Sequence, residues 1–268
     1  MSLDLAYAEY GGSGGGGPPV VILHGLLGSA RNWQAIAKRL AADGRHVFAL
    51  DLRNHGASPW AEPMTYPAMA EDVRRFMARH GPDGAAVIGH SMGGKVAMAL
   101  ALAHGGLVGR LIVVDIAPVP YAHGTFLPYV RAMRAVDPSG VTRRGEVEER
   151  LRDAVPDQSV RAFLLQNLVG DNGGLRWRVN LAAIEADMGD VMGFPAPEDA
   201  GRVYDGPTLF LAGERSDYVR PEHHAAIRRL FPGATIETVP GAGHWVHAEQ
   251  PQRFIERALA FLGAGGRG

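Results

Sequence analysis

Gly89-His90-Ser91-Met92-Gly93 sets a serine between two glycines. In that spacing a sharp strand-to-helix turn lifts a hydroxyl clear of the backbone. The flanks supply the context. Residues 85–88, AAVI, read as a buried strand, and Met92–Ala103, rich in Ala, Val and Leu, reads as a buried helix. The helix N-terminus then directs its dipole and free N–H groups at the turn. Ser91 is the candidate nucleophile. A serine needs a general base within hydrogen-bond reach, a group behind the base to orient it, and N–H donors for the developing oxyanion.

Among eleven histidines, His244 in VPGAGHWVHAEQP stands after the last strand on a glycine-flexed loop. It is the candidate base. His247 reads as structural at a helix start, His90 as a packing residue, and His55, His223 and His224 as loop or surface residues. His24 reads as a residue that orders its loop by hydrogen bonding. Two aspartates end strands where α/β sheets put functional groups: Asp115 in LIVVDIAP and Asp217 in LAGERSDYVRP. For the oxyanion hole, the N–H of Met92 follows the nucleophile, and the loop HGLLGS offers the N–H of Leu26. Gly25 and Gly28 let that loop come close.

These residues need a scaffold that gathers strand ends. Short β-branched runs alternate with amphipathic ones along the chain, which predicts an α/β fold with a mostly parallel central sheet flanked by helices. Strands are expected over 3–9, Val20–Leu23, 46–50, 85–88, 111–115, 208–211 and 235–239. Helices are expected over 33–41, Tyr66–His80 (capped by Thr65), Met92–Ala103, 221–230 and Pro251–Leu262. GGSGGGGPP reads as a surface loop, because no Lys-Ser/Thr follows it as a phosphate cradle requires. GAGGRG reads as a frayed tail. Residues 118–205 differ in character, with Tyr121, Phe126, Trp177 and charged helical patches, and read as a mostly helical insertion. The expected division is a core of 1–117 and 206–268 with a cap of 118–205.

Composition excludes several classes. The 268 residues carry a net charge of −1, with 46% hydrophobic and 21% charged residues. Nothing draws the chain electrostatically to nucleic acid. There is no cysteine, which removes disulfides, thiolate metal sites and a cysteine nucleophile, and fits a reducing cytoplasm. No apolar run approaches a membrane span, and MSLDLAYAEYGG lacks the basic and apolar regions of a secretory signal.

Taken together, HGLLGS, DLRNHGAS, GHSMGGKVAM, LIVVDIAP and GAGHWVHAEQP resemble the α/β-hydrolase superfamily, and within it the small YbfF-type bacterial esterases and α/β-hydrolase domain-containing protein 11. The motifs fall in family order along nearly the whole chain. The resemblance implies a serine esterase or thioesterase with a helical cap, no cofactor or metal, and a small-molecule ester or thioester as substrate. It implies Ser91 and His244 as triad members and Leu26 and Met92 as oxyanion donors. It divides on the acid. The common superfamily position matches Asp217, whereas the YbfF-type pattern matches Asp115. The expectation leans to Asp217. Asp51 and Arg53 of DLRNHGAS are expected to tie the loop beneath the site. Carbon–carbon bond hydrolysis or perhydrolysis would use the same residues, and a non-catalytic ligand-binding role on the same fold is the alternative outside enzymes.

Overall fold

The computed structural model describes residues 2–12, 17–81, 84–121, 126–171, 173–195 and 202–263. The strands are β1 (Tyr7–Tyr10), β2 (Val20–Leu23), β3 (Val47–Leu50), β4 (Ala85–His90), β5 (Val108–Val114), β6 (Leu168–Asp171), β7 (Gly174–Trp177), β8 (Thr208–Gly213) and β9 (Ala234–Val239). The helices are α1 (Gln34–Ala42), α2 (Tyr66–His80), α3 (Met92–Ala103), α4 (Phe126–Ala135), α5 (Arg144–Leu151), α6 (Gln158–Leu164), α7 (Leu181–Ala186), α8 (Met188–Met192), α9 (His224–Leu230), α10 (Val246–Glu249) and α11 (Pro251–Leu262).

Seven strands form one sheet in the order β1-β3-β2-β4-β5-β8-β9. β1 is antiparallel to β3, and the other pairings are parallel. Successive side chains of a strand point to opposite faces, and each face here has its own apolar layer. Val21, Leu23, Val87, Val113 and Phe210 pack with residues of α2 and α3 such as Val73, Phe76 and Val96. Val20, Ile22, Ile88, Ile112 and Leu211 pack with Ile36 and Leu40 of α1 and Phe254 and Ala258 of α11. A sheet covered on both faces explains why β2, β3 and β4 read as unbroken apolar runs.

α2, α3 and α11 have the bounds expected from sequence. The Thr65 side chain accepts the Ala68 N–H at the start of α2, and Gly81 closes its end at φ 66°. β1 starts later than expected, at Tyr7. The expected helix 221–230 is a 3-10 turn, Pro221–His223, leading into α9. The glycine loop and the tail lie largely outside the described residues. Between β5 and β8 the chain forms α4 to α8, in keeping with a mostly helical segment, but it also forms an antiparallel hairpin, β6–β7. The segment touches the rest of the protein through polar links. Asn167 Nδ2 donates to Leu27 O at 2.8 Å, the Asn180 N–H donates to Asn54 O at 2.9 Å, and the Met64 N–H donates to Asp187 Oδ2 at 2.6 Å. Among the described residues no helix is long and apolar enough to cross a membrane.

Candidate active site

Strands β4, β5, β8 and β9 are consecutive neighbours in the sheet, and each is followed at its C-terminal end by a polar residue of the site. Ser91 follows β4 with φ 51° and ψ −120°, outside the region a non-glycine residue prefers, at a cost of about 1–3 kcal/mol. The turn is held by the Ser91 N–H, which donates to Val114 O of β5 at 3.0 Å. It is also held open for close approach. A Cβ on Gly93 would lie 2.4 Å from Leu23 O, and one on Gly89 would lie 2.2 Å from Gly93 O. The glycines flanking Ser91 are thus required by backbone-to-backbone contact.

The hydroxyl of Ser91 is 3.1 Å from His244 Nε2, and His244 Nδ1 is 2.7 Å from Asp115 Oδ2. Because a carboxylate can only accept, Nδ1 carries the proton and Nε2 presents its lone pair to the serine. Asp115 is fully buried at the end of β5, in left-handed conformation at φ 50°. Its N–H donates to Leu211 O at 2.9 Å, and its Oδ1 accepts the Gly213 N–H at 2.8 Å. The Ser216 hydroxyl completes the set by donating to Asp115 Oδ2. The expected lean to Asp217 is corrected here. The Asp217 side chain is 86% exposed, 3.4 Å from Arg220 Nε. β8 continues to Gly213, and the turn that follows sends Ser216 inward and Asp217 out. Asp115 reaches His244 because its left-handed backbone bends the chain at the end of β5.

Sequence reasoning missed Ser216 and Tyr218, which stand on either side of Asp217. The Tyr218 ring stacks on the His244 imidazole with centroids 4.1 Å apart. Its carbonyl accepts the Tyr121 hydroxyl at 2.5 Å. On the other side His90 is fully enclosed, and its Nε2–H donates to His244 O at 2.8 Å. Burial holds the His90 imidazole well below its ordinary pKa, so it stays neutral and serves as a fixed donor. His247 stacks on Trp33 at 4.0 Å, and burial lowers its pKa to about 3.

Beneath the site, His24 and His55 tie the loop after β2 to the loop after β3. His24 Nε2 accepts the Leu52 N–H, and His55 Nε2 accepts the Leu27 N–H, both at 3.0 Å. His55 stands in a loop, as expected, and is fully buried there. Asp51 accepts N–H groups from Ala30 and Ala57 at 2.7 and 2.8 Å. Arg53 makes a two-pronged pair with Asp72, at 2.7 and 2.8 Å, in a buried setting. These bonds position the backbone that carries Leu26.

Ser91 and Leu26 border two cavities. One, of about 1070 Å³, is lined by polar groups including Arg31, Asn32, Gln166, His244 and Glu249. The other, of about 20 Å³, is bounded by Tyr66, Met92, Lys95, Ile116, Tyr121 and Met192. Phe126 borders both. Trp177 donates to Val136 O and Asn180 caps α7, and neither borders either of these two cavities. Lys95 was not singled out in the sequence, although a lone lysine in an Ala/Val helix was its signal. Burial lowers its ammonium to about 7. Among the described residues no cluster of three or more His, Asp or Glu side chains could hold a metal ion.

A serine on a strand-to-helix turn, with a histidine and an aspartate from later strand ends of one parallel sheet, defines an α/β-hydrolase arrangement. The chain belongs to the alpha/beta hydrolase family, whose family model matches residues 20–257. It is 43% identical over 266 residues to the "sn-1-specific diacylglycerol lipase ABHD11" of Danio rerio, covering 97% of this chain and 83% of that protein. It is 34% identical over 243 residues to "Esterase YbfF" of Escherichia coli K12, covering 91% of this chain and 92% of that protein. Among solved structures, a "Marine microorganism esterase" superposes with a TM-score of 0.92 at 40% identity, covering 97% of this chain and 100% of that one.

Proposed function

We propose that this protein hydrolyses carboxylic esters or thioesters of small molecules through an acyl-enzyme on Ser91. The observation that carries this reading is the continuous hydrogen-bonded chain from Ser91 Oγ through His244 to Asp115, at 3.1 and 2.7 Å. The esterase and lipase names of its relatives support the substrate class.

Ser91 Oγ attacks the carbonyl carbon as its proton passes to His244 Nε2. The imidazolium then donates to Asp115 Oδ2, which stays ionised. The tetrahedral oxygen takes the N–H groups of Met92 and Leu26. Met92 is the first residue of α3, so its N–H has no acceptor within the helix. His244 next protonates the departing alcohol or thiol, and water activated by the same nitrogen releases the acid. Residues 118–205 act as a cap over the cavities, contributing Phe126, Phe163 and Gln166 to the larger one. The absence of cysteine is in keeping with action in a reducing cytoplasm.

The test is p-nitrophenyl acetate hydrolysis by the wild type and by Ser91→Ala. The reading expects a loss of ~10³-fold or more in kcat/KM. Equal rates, or no ester hydrolysis by the folded wild type, would refute it and favour a ligand-binding role.

A further inference from the structure

The general acid assigns the two cavities. His244 must hand its proton to the leaving group, so the leaving group lies where His244 faces. The 1070 Å³ cavity is on that side, bordered by His244, Trp245 and Glu249. The acyl group is then left to the smaller cavity, which His244 does not line and which Met92 and Tyr218 help to bound, where the available space is about 20 Å³. That is room for about one water-sized or methyl-sized group.

Part of the wall of this small cavity is tied in place by unusual means. Lys95 lies one helical turn beyond Ser91 on α3, and its main-chain N–H donates to Ser91 O at 3.1 Å. Its side chain is 1% exposed. Nζ donates to Met192 O at 3.1 Å and to Gly193 O at 2.5 Å, and it sits 4.7 Å from the centroid of the Tyr121 ring. Among the described residues no carboxylate pairs with it. The Tyr66 hydroxyl takes the preceding carbonyl, Val191 O, at 2.5 Å. The orphan carbonyls at the end of α8 are thus bonded to α2 and α3. Burying an amine with no countercharge is costly, and a methionine of similar length would fill the same space at less cost. What the lysine adds is the pair of bonds that fastens α8 to the helix bearing the nucleophile.

We propose that Lys95 is the specificity-determining residue of the acyl side: by tying Met192 and Gly193 to α3 it keeps that pocket shallow and restricts the enzyme to short acyl chains on bulky, polar leaving groups. This rests on the ester-hydrolase reading above.

The experiment measures kcat and KM for p-nitrophenyl acetate, butyrate, octanoate and laurate. It compares wild type, Lys95→Met, Lys95→Arg and Met192→Ala, each titrated with a fluorophosphonate to count competent Ser91. The wild type should favour acetate or butyrate over octanoate by about tenfold or more, the scale on which one misfit methylene discriminates. Lys95→Met should raise the octanoate-to-acetate ratio about tenfold, chiefly through KM for octanoate. Lys95→Arg, which can still donate to both carbonyls, should keep the short-chain order. Met192→Ala trims the wall itself and must move the ratio the same way, which keeps the test decisive if Lys95→Met does not fold. A wild type that prefers octanoate, or folded Lys95→Met and Met192→Ala variants that keep the wild-type ratio, would overturn the proposal while leaving the hydrolase reading intact. Failure of the wild type to label and to hydrolyse any ester would instead overturn that reading.

Discussion

Replacing Asp115 by asparagine probes the site at its least replaceable point. The carboxylate meets a donor at every contact: Gly213 N–H at Oδ1, and His244 Nδ1–H and the Ser216 hydroxyl at Oδ2. An amide offers one acceptor and two N–H groups. With its oxygen toward Gly213, its NH₂ confronts His244 Nδ1, and the imidazole must move its proton to Nε2. That nitrogen then points a hydrogen at Ser91 Oγ and cannot take the serine proton. With the amide reversed, NH₂ faces the Gly213 N–H in a fully buried site, leaving two donors without acceptors at about 1–3 kcal/mol each. The first arrangement is preferred, and it also removes the charge that stabilises the imidazolium. The expected loss is ~10⁴-fold in kcat, about 5 kcal/mol in the barrier. KM should change little, since Asp115 lines neither cavity. The assay is p-nitrophenyl acetate turnover across about pH 6 to 9, with circular dichroism to confirm folding. Asp217→Asn, measured alongside, should stay within about twofold, as an exposed residue with one screened ion pair would. A larger loss in Asp217→Asn than in Asp115→Asn would refute the geometry argued here.

Ser216→Ala removes one of the bonds to Asp115 and should lower kcat by about tenfold, the cost of one charge-assisted hydrogen bond; an unchanged kcat counts against its orienting role. His55 and His247 have pKa values lowered to about 3 by burial, from 6.5. The unfolded chain therefore binds more protons than the folded one between those values, so stability is full above about pH 6.5 and falls as pH drops toward about 3. Urea unfolding at several pH values should show this slope, and His247→Phe, which keeps a ring on Trp33, should make it shallower; an equal slope would contradict the assignment. Arg53→Met leaves Asp72 buried without its partner and should cost about 3–5 kcal/mol in urea unfolding; a loss under about 1 kcal/mol would mean that the pair is dispensable. Gly93→Ala forces a Cβ to 2.4 Å from Leu23 O, so the turn must open, and the fraction of protein labelled by fluorophosphonate should drop; full labelling would show that the close approach is not needed.

The parts of this site written in local sequence were legible, and the parts set by distant backbone were not. Thr65, Pro251 and the apolar spacing of α2 and α11 are short-range signals, and their helices have the expected bounds. The turn at Ser91 is announced by its own glycines. The choice of acid depends on how β5 ends, on the left-handed φ of Asp115, and on how far β8 runs before turning. None of these is a property of either aspartate's neighbours. The stretch LAGERSDYVRP carries side chains of the site, but they are Ser216 and Tyr218 and not its carboxylate. The β6–β7 hairpin had a signal in LVGDNGGLRW, where turn residues separate two apolar runs. It was overridden by the charged helical character around it. His55 is the loop residue expected, but the burial of its loop, which bonds through Asn54 to Asn180 more than a hundred residues away, has no local mark.

The mechanism requires that Ser91 Oγ be the atom that is acylated. Reaction with a fluorophosphonate, followed by proteolysis and mass spectrometry, measures that directly. A single adduct on the peptide containing Ser91, absent in Ser91→Ala and strongly slowed in His244→Ala, is the predicted result. An adduct on another residue, or none on folded wild-type protein, would contradict the account.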